Sequence, residues 1–155
     1  MGVEPVLIDD RIEDLVRQAL NAVIKCSTSL LAEAQHVFGD DASRTEGCRL
    51  ACAIASFIAH ECHGGRPTPA QIGQLADAVS AHERWSGVSA AEVRALLTVV
   101  TGHAGRDGVG HLLPPHRVPL VCYVTAGSLL ASTRRPGEPW WDHLDRVEAG
   151  IEAMM

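Results

Sequence analysis

What this chain of 155 residues lacks narrows it first. It has no basic stripe: twelve arginines and one lysine, Lys25, are scattered through a sequence of net charge −6. No run of side chains can therefore neutralise a row of phosphates, and nucleic acid and anionic membrane surfaces are poor partners. No run approaches the roughly 18–20 apolar residues of a membrane span. Met1 to Asp10 is acidic, without the basic n-region and long apolar h-region of a secretory leader, so a cytoplasmic protein is expected. The cysteines, Cys26, Cys48, Cys52, Cys62 and Cys122, are odd in number and dispersed, which suits reduced thiols better than a disulfide framework. Internal repeats and low-complexity tracts are missing. The preference for arginine over lysine is that of GC-rich coding, so a bacterial source, for instance an actinobacterium, is expected.

A chain of this length should form one domain, 1–155, burying about 68–70% of its unfolded surface without staples or metals. A bound metal would then be functional rather than structural. Within the chain the clearest signal is a repeated helix start: Asp10-x-x-Glu13, Ser43-x-x-Glu46, Thr68-x-x-Gln71 and Ser89-x-x-Glu92 each precede a stretch of helical hydrophobic periodicity. An all-α fold follows, an irregular bundle of five or six helices. The first is expected from about Arg11 to Phe38, with Ile12, Leu15, Ala19, Ala22, Cys26, Leu30, Ala34 and Val37 along one face and Gly39 as its stop. The second spans roughly Thr45 to His63, ends at Gly64-Gly65, and is composed largely of small and apolar residues, which places it near the bundle centre. Thr68-Pro69 opens the third, buried through Ile72, Leu75, Ala76 and Val79. Ser89 opens the fourth, buried through Val93, Leu96, Leu97 and Val100.

Seven glycines and prolines (Gly102, Gly105, Gly108, Gly110, Pro114, Pro115, Pro119) make Thr101 to Pro119 a long loop. Beyond it Val118 to Ser132 is almost wholly apolar; Tyr123, Val124 and Thr125 fit a buried strand by composition, but length favours a helix. Residues 134–139 form a linker, and Trp140 to Met154 reads as an amphipathic helix with Trp140, Leu144, Val147 and Ile151 on one face.

Four groups of residues could carry chemistry. Cys48, Cys52, His60, Cys62 and His63 crowd the second helix, yet Cys52 and His60 are eight residues apart, about 12 Å along a helix, too far for one zinc ion. A metal site, for zinc or another transition metal, would have to combine His60 or His63 with His82, His103 or His111. No C-x-x-C or H-E-x-x-H spacing occurs. The simpler expectation is that Cys48 and Cys52 are small core residues and that the histidines sit at a polar helix end. Cys62 lies beside His60 and His63, but neighbours at i−2 and i+1 point away on a helix, and neither G-x-S-x-G nor a cysteine-protease signature is present. Glu33-x-x-His36 resembles half of the ligand set of di-iron carboxylate bundles; that family needs a second copy and further carboxylates, and no second copy exists.

The loop brings His103, Arg106, Asp107, His111, His116 and Arg117 among glycines. Such a segment can hold an anion or place a His beside an Asp for acid–base work, but it is neither a Walker A loop nor a dinucleotide fingerprint. Thr68 to Thr98 hints at a helix-turn-helix, but about ten residues separate its halves, against the usual three to four, and Arg94 is the lone base of the would-be reading helix. Finally, Trp140 and Trp141 diverge by about 100° on a helix, so with Trp140 inward Trp141 turns outward as an interface anchor. The expected function is thus a non-catalytic module that binds a protein partner, or itself, through Trp140, Trp141, Arg106 and Arg117. The alternative is a helical sensor holding a small ligand or metal at His60, Cys62, His63, His82, His103 and His111. A third reading, an enzyme, would need His103 or His111 to meet Asp107 in a cleft.

Overall fold

Helix caps decide where this chain leaves extended backbone. The computed structural model describes residues 8–103 and 113–154. Those residues form seven α-helices: α1 (Asp10–Ile24), α2 (Thr28–Val37), α3 (Asp41–Cys62), α4 (Pro69–His82), α5 (Ala90–Val100), α6 (Val118–Thr133) and α7 (Trp140–Met154), with a 3₁₀ turn at Arg84–Ser86. The fold is all-helical, and no strand occurs among the described residues. Two of the four start signatures are complete capping boxes. The Thr68 hydroxyl accepts from the Gln71 N–H at 3.2 Å while the Gln71 side chain accepts from the Thr68 N–H at 2.8 Å, and Ser89 and Glu92 repeat the exchange at 3.1 and 3.0 Å. The other two caps lie earlier than expected. Asp9 accepts from the Ile12 N–H at 3.0 Å and Asp40 from the Ser43 N–H at 2.7 Å. Asp is as good an N-cap as Ser, so the upstream acceptor starts the helix. Ser43 becomes a helical residue whose hydroxyl accepts from Arg11 at 2.8 Å.

The expected long first helix is two helices. Cys26 takes a left-handed φ of +53°; its N–H reaches the Val23 carbonyl at 2.9 Å and the Ser27 N–H reaches the Ala22 carbonyl at 3.0 Å. This is the Schellman end of α1, made without glycine. Ser27 at once caps α2, accepting from the Leu30 N–H at 3.2 Å. The break rotates the buried face by one position: Leu31, Ala34 and Phe38 point inward, whereas Cys26, Leu30 and Val37 are exposed. The Gly64-Gly65 stop is as expected, with Gly64 at φ +67° and the Gly65 N–H on the His60 carbonyl at 2.9 Å.

Val118 to Ser132 is helical, and it is the centre of the bundle. All ten residues from Val121 to Leu130 are buried, and α6 packs against α1, α3, α4, α5 and α7. A helix apolar on every side belongs inside a ring of others. The small-residue helix α3 takes a flanking place instead: Leu50, Ala51, Ile54 and Ile58 face inward, and Arg44, Glu46 and Arg49 remain in solvent. No helix among the described residues is long and apolar enough to cross a membrane.

Helical glycines set how closely these helices approach. A Cβ on Gly127 would lie 2.7 Å from Val23 Cγ1, and one on Gly47 would lie 2.5 Å from the Phe38 ring and 2.6 Å from the Tyr123 hydroxyl. Gly150 meets the Phe57 ring in the same way. In α6, Gly127→Ala should therefore destabilise the fold by about 1–2 kcal/mol, because overpacking against a β-branched side chain outweighs the roughly 1 kcal/mol that alanine gains in helix propensity. Urea denaturation measures this, and a more stable variant would show that α1 and α6 are not in close contact.

Candidate functional site

Among the described residues a broad concavity lies between α3 and the end of α7. Ala53, Phe57, Ile151 and Met154 line a groove of about 800 Å³, and Ser56, His60 and Glu61 supply its polar groups. The sequence places these residues at i, i+3 and i+4 on α3, so they form one stripe, and Gly150 lets the Phe57 ring lie flush against α7. His60 is fixed from below: its Nδ1 lies 2.7 Å from the Ser56 carbonyl. A carbonyl can only accept, so Nδ1 carries the proton, and in the neutral ring Nε2 is left as an acceptor. The Ser56 hydroxyl is itself used, donating to the Val100 carbonyl at 3.0 Å. The groove thus offers an apolar floor, one imidazole acceptor and a carboxylate at its rim.

The other histidines do not gather around this point. His63 is half-buried, and its Nε2 has no hydrogen-bond partner among the described residues. His82 is exposed at the end of α4. His103 donates from Nε2 to the Pro67 carbonyl at 2.6 Å, and Arg66 donates to the carbonyls of Thr101 and Gly102, so this segment laces the α3–α4 turn to the end of α5. Desolvation of the Cys62 sulfur, and then the charge of Glu61, push its thiol up, which disfavours the thiolate. Arg106, Asp107 and His111 lie outside the described residues, and with them most of the loop chemistry expected from sequence. Among the described residues no three His, Cys, Asp or Glu side chains converge as a metal would require.

Neither the family models, nor the curated proteins, nor the solved structures compared with this chain give a match. The site must be read from its own residues.

Of the expected partner-binding side chains, Arg117 is committed internally. Its guanidinium forms a two-point pair with Glu92, 2.7 Å from Nε and 2.9 Å from Nη2, and this pairing is the main reason that the Glu92 carboxyl falls to about 2. Glu92 also completes the α5 capping box, so one carboxylate joins the start of α5 to the start of α6. Trp140 is half-buried and Trp141 is 50% exposed, with their rings edge-on at 5.9 Å. Both border a cleft of about 490 Å³ formed with residues 134–139.

Three features escaped the sequence. Cys122 on α6 faces Cys48 and Cys52 on α3, because the helix register of a wholly apolar segment has no polar face to betray it. His143 is buried and donates to the Leu130 carbonyl at 2.9 Å, satisfying one of the free carbonyls that end α6. Glu148 is buried beside Glu13, Asp145 and Arg17. Both sit on the face of α7 that the spacing of Trp140, Leu144, Val147 and Ile151 already marked, and only their polarity concealed them.

Burial, and then the neighbouring Glu13, push the Glu148 carboxyl up to about 8. The folded state therefore holds a proton that the unfolded chain releases at the ordinary carboxyl pH, and stability falls as pH rises from about 4.5 to 8. Glu148→Gln should flatten this segment of the stability profile, removing on the order of 2 kcal/mol of loss between pH 5 and pH 8. Thermal and urea unfolding across that range test it; an unchanged profile would mean that Glu148 is ionised in the fold.

Proposed function

We propose that this chain is a non-catalytic binding module whose ligand is a small apolar molecule bearing a hydrogen-bond donor, an alcohol or an amine, held between α3 and α7. The observation that carries this reading is the 800 Å³ groove lined by nine residues. Small-molecule sites span about 300–1,000 Å³, are mostly apolar and carry a few placed polar groups. A specific protein interface needs about 20–30 residues a side, so a groove of this size suits a small ligand better than a folded partner. The donor requirement follows from His60, whose free nitrogen accepts, and from Glu61, whose charge favours a cation and repels a carboxylate.

Octylamine and octanol should bind the purified chain, and octanoate at least about tenfold more weakly, as followed by amide NMR shifts at Phe57, His60 and Ile151. Met154 is 79% exposed, so Met154→Asp leaves the core intact while placing charge on the groove floor; it should abolish binding of octanol. His60→Phe keeps the bulk and removes the acceptor, and should weaken octylamine by about three- to tenfold. Equal binding of all three probes, or shifts confined to other helices, would remove the groove from consideration.

A second reading rests on a separate observation, the exposure of Trp141 beside the 134–139 cleft. Aromatic anchors of this kind dominate interface energies. If the chain self-associates through this surface, Trp141→Ala should weaken the association by about tenfold or more in sedimentation equilibrium, without altering the groove.

A further inference from the structure

Away from the α3–α7 groove, three of the five cysteines meet where α3 packs on α6. Cys48 and Cys52 lie one helical turn apart on α3, and Cys122 projects toward them from α6, its sulfur 3.5 Å from that of Cys52. They share a cleft of about 430 Å³ whose walls include Pro115, Val118 and Pro119 and whose rim carries Arg44 and Arg49. Cys48 and Cys52 are partly exposed and Cys122 is fully buried. Small oxidants thus have a path to the first two thiols and none to the third. Three buried methyl-sized groups would have packed this contact equally well; three thiols bring a chemistry that packing does not need.

We propose that Cys48, Cys52 and Cys122 form a hydroperoxide-reactive thiol centre whose oxidised product is a disulfide joining α3 to α6 through Cys122. The sulfur of Cys48 starts the reaction. Its thiol is lowered, first by the neighbouring Cys122 and then, against burial, by the Tyr123 hydroxyl. Burial, reinforced by the nearby sulfurs, holds the Tyr123 phenol protonated and so able to donate. Attack of the Cys48 thiolate on a hydroperoxide forms an S–O bond and breaks the O–O bond; the electron pair leaves with the alkoxide or hydroxide, which takes a proton to become alcohol or water. Cys48 is then a sulfenic acid. Cys122, whose thiol is raised by its hydrogen bonds to Cys48 and Cys52 and by burial, keeps its proton until then. Its sulfur attacks the Cys48 sulfur, an S–S bond forms, and the S–O bond breaks with release of water, which carries the Cys122 proton. Exchange by Cys52, in contact with Cys122, moves the bridge to Cys52–Cys122 and frees the Cys48 thiol. Two thiols are oxidised by two electrons, and one hydroperoxide is reduced.

The test uses the full chain, reduced, freed of reductant without oxygen, and given one equivalent of hydrogen peroxide. The intact mass should fall by about 2 Da, the loss of two hydrogens on bridging, and return on dithiothreitol treatment. Peptide mapping after alkylation in denaturant should find Cys122 joined to Cys52 or Cys48, with Cys26 and Cys62 alkylated. Cys48→Ser should slow the reaction by about tenfold or more. In Cys122→Ala the bridge should be lost and a dimedone-reactive sulfenic acid should accumulate at Cys48. The wild-type mapping decides the proposal even if that variant does not fold: full alkylation of Cys122 after peroxide treatment overturns it, as does oxidation confined to Cys26 and Cys62.

Discussion

Ten successive residues of α6, Val121 to Leu130, are shut off from water on every side, so each surrounding helix has to bring an apolar stripe to them. Burial of such side chains is worth roughly 1.5–3 kcal/mol each for the larger aliphatic residues, which makes this helix the main source of cohesion. Its surroundings are shaped by it in detail. Gly127 admits Val23 of α1, Gly47 on α3 admits the Phe38 ring and the Tyr123 hydroxyl, and the rings of Phe38 and Tyr123 stack at 6.0 Å. A central helix leaves few backbone groups free: its Leu130 carbonyl accepts from His143 of α7, and its Leu129 carbonyl from Ser132 and Thr133 of its own last turn.

The features that could carry function are consequences of this arrangement. Because α6 fills the centre, α3 and α7 meet each other only along one edge of the bundle, and their meeting leaves the groove floored by Phe57 and Ile151. Because α3 gives α6 a face that includes Cys48 and Cys52, the register between the two helices sets those sulfurs against Cys122. The polar groups are anchored from within the helices that carry them, His60 by the carbonyl of Ser56 one turn earlier. Charges are placed as sparingly. Arg17 gathers Glu13, Asp145 and Glu148 between α1 and α7, and Arg117 ties Glu92 between α5 and α6. The Arg17–Asp145 and Arg117–Glu92 pairs therefore close helix contacts, whereas Arg44–Asp41 and Arg49–Glu46 lie on the exposed face of α3.

Much of this was legible in the residues. Thr68 and Ser89 marked their helices because a capping box is a local exchange of two hydrogen bonds, complete within four residues. Gly64 marked the end of α3 because glycine adopts positive φ at little cost. The break at Cys26 was hidden for the converse reason: a cysteine in left-handed conformation carries no such mark, and an apolar period that runs on through it suggests one continuous helix. The displaced caps at Asp9 and Asp40 show the same limit, since neighbouring acceptors of equal quality cannot be ranked without knowing where the helix must point to reach its partner.

The sequence by itself determined that the chain is helical, where most helices begin and end, and which stripe of α4, α5 and α7 turns inward, because these depend on hydrogen bonds and side-chain spacings within a few residues. Only the tertiary structure decided which helix is central, which histidine borders a groove, that Arg117 is bound to Glu92, and that Cys122 lies against Cys52. The two contacts join residues 25 and 70 positions apart, and such geometry is fixed by the packing of whole helices, which no local pattern of residues encodes.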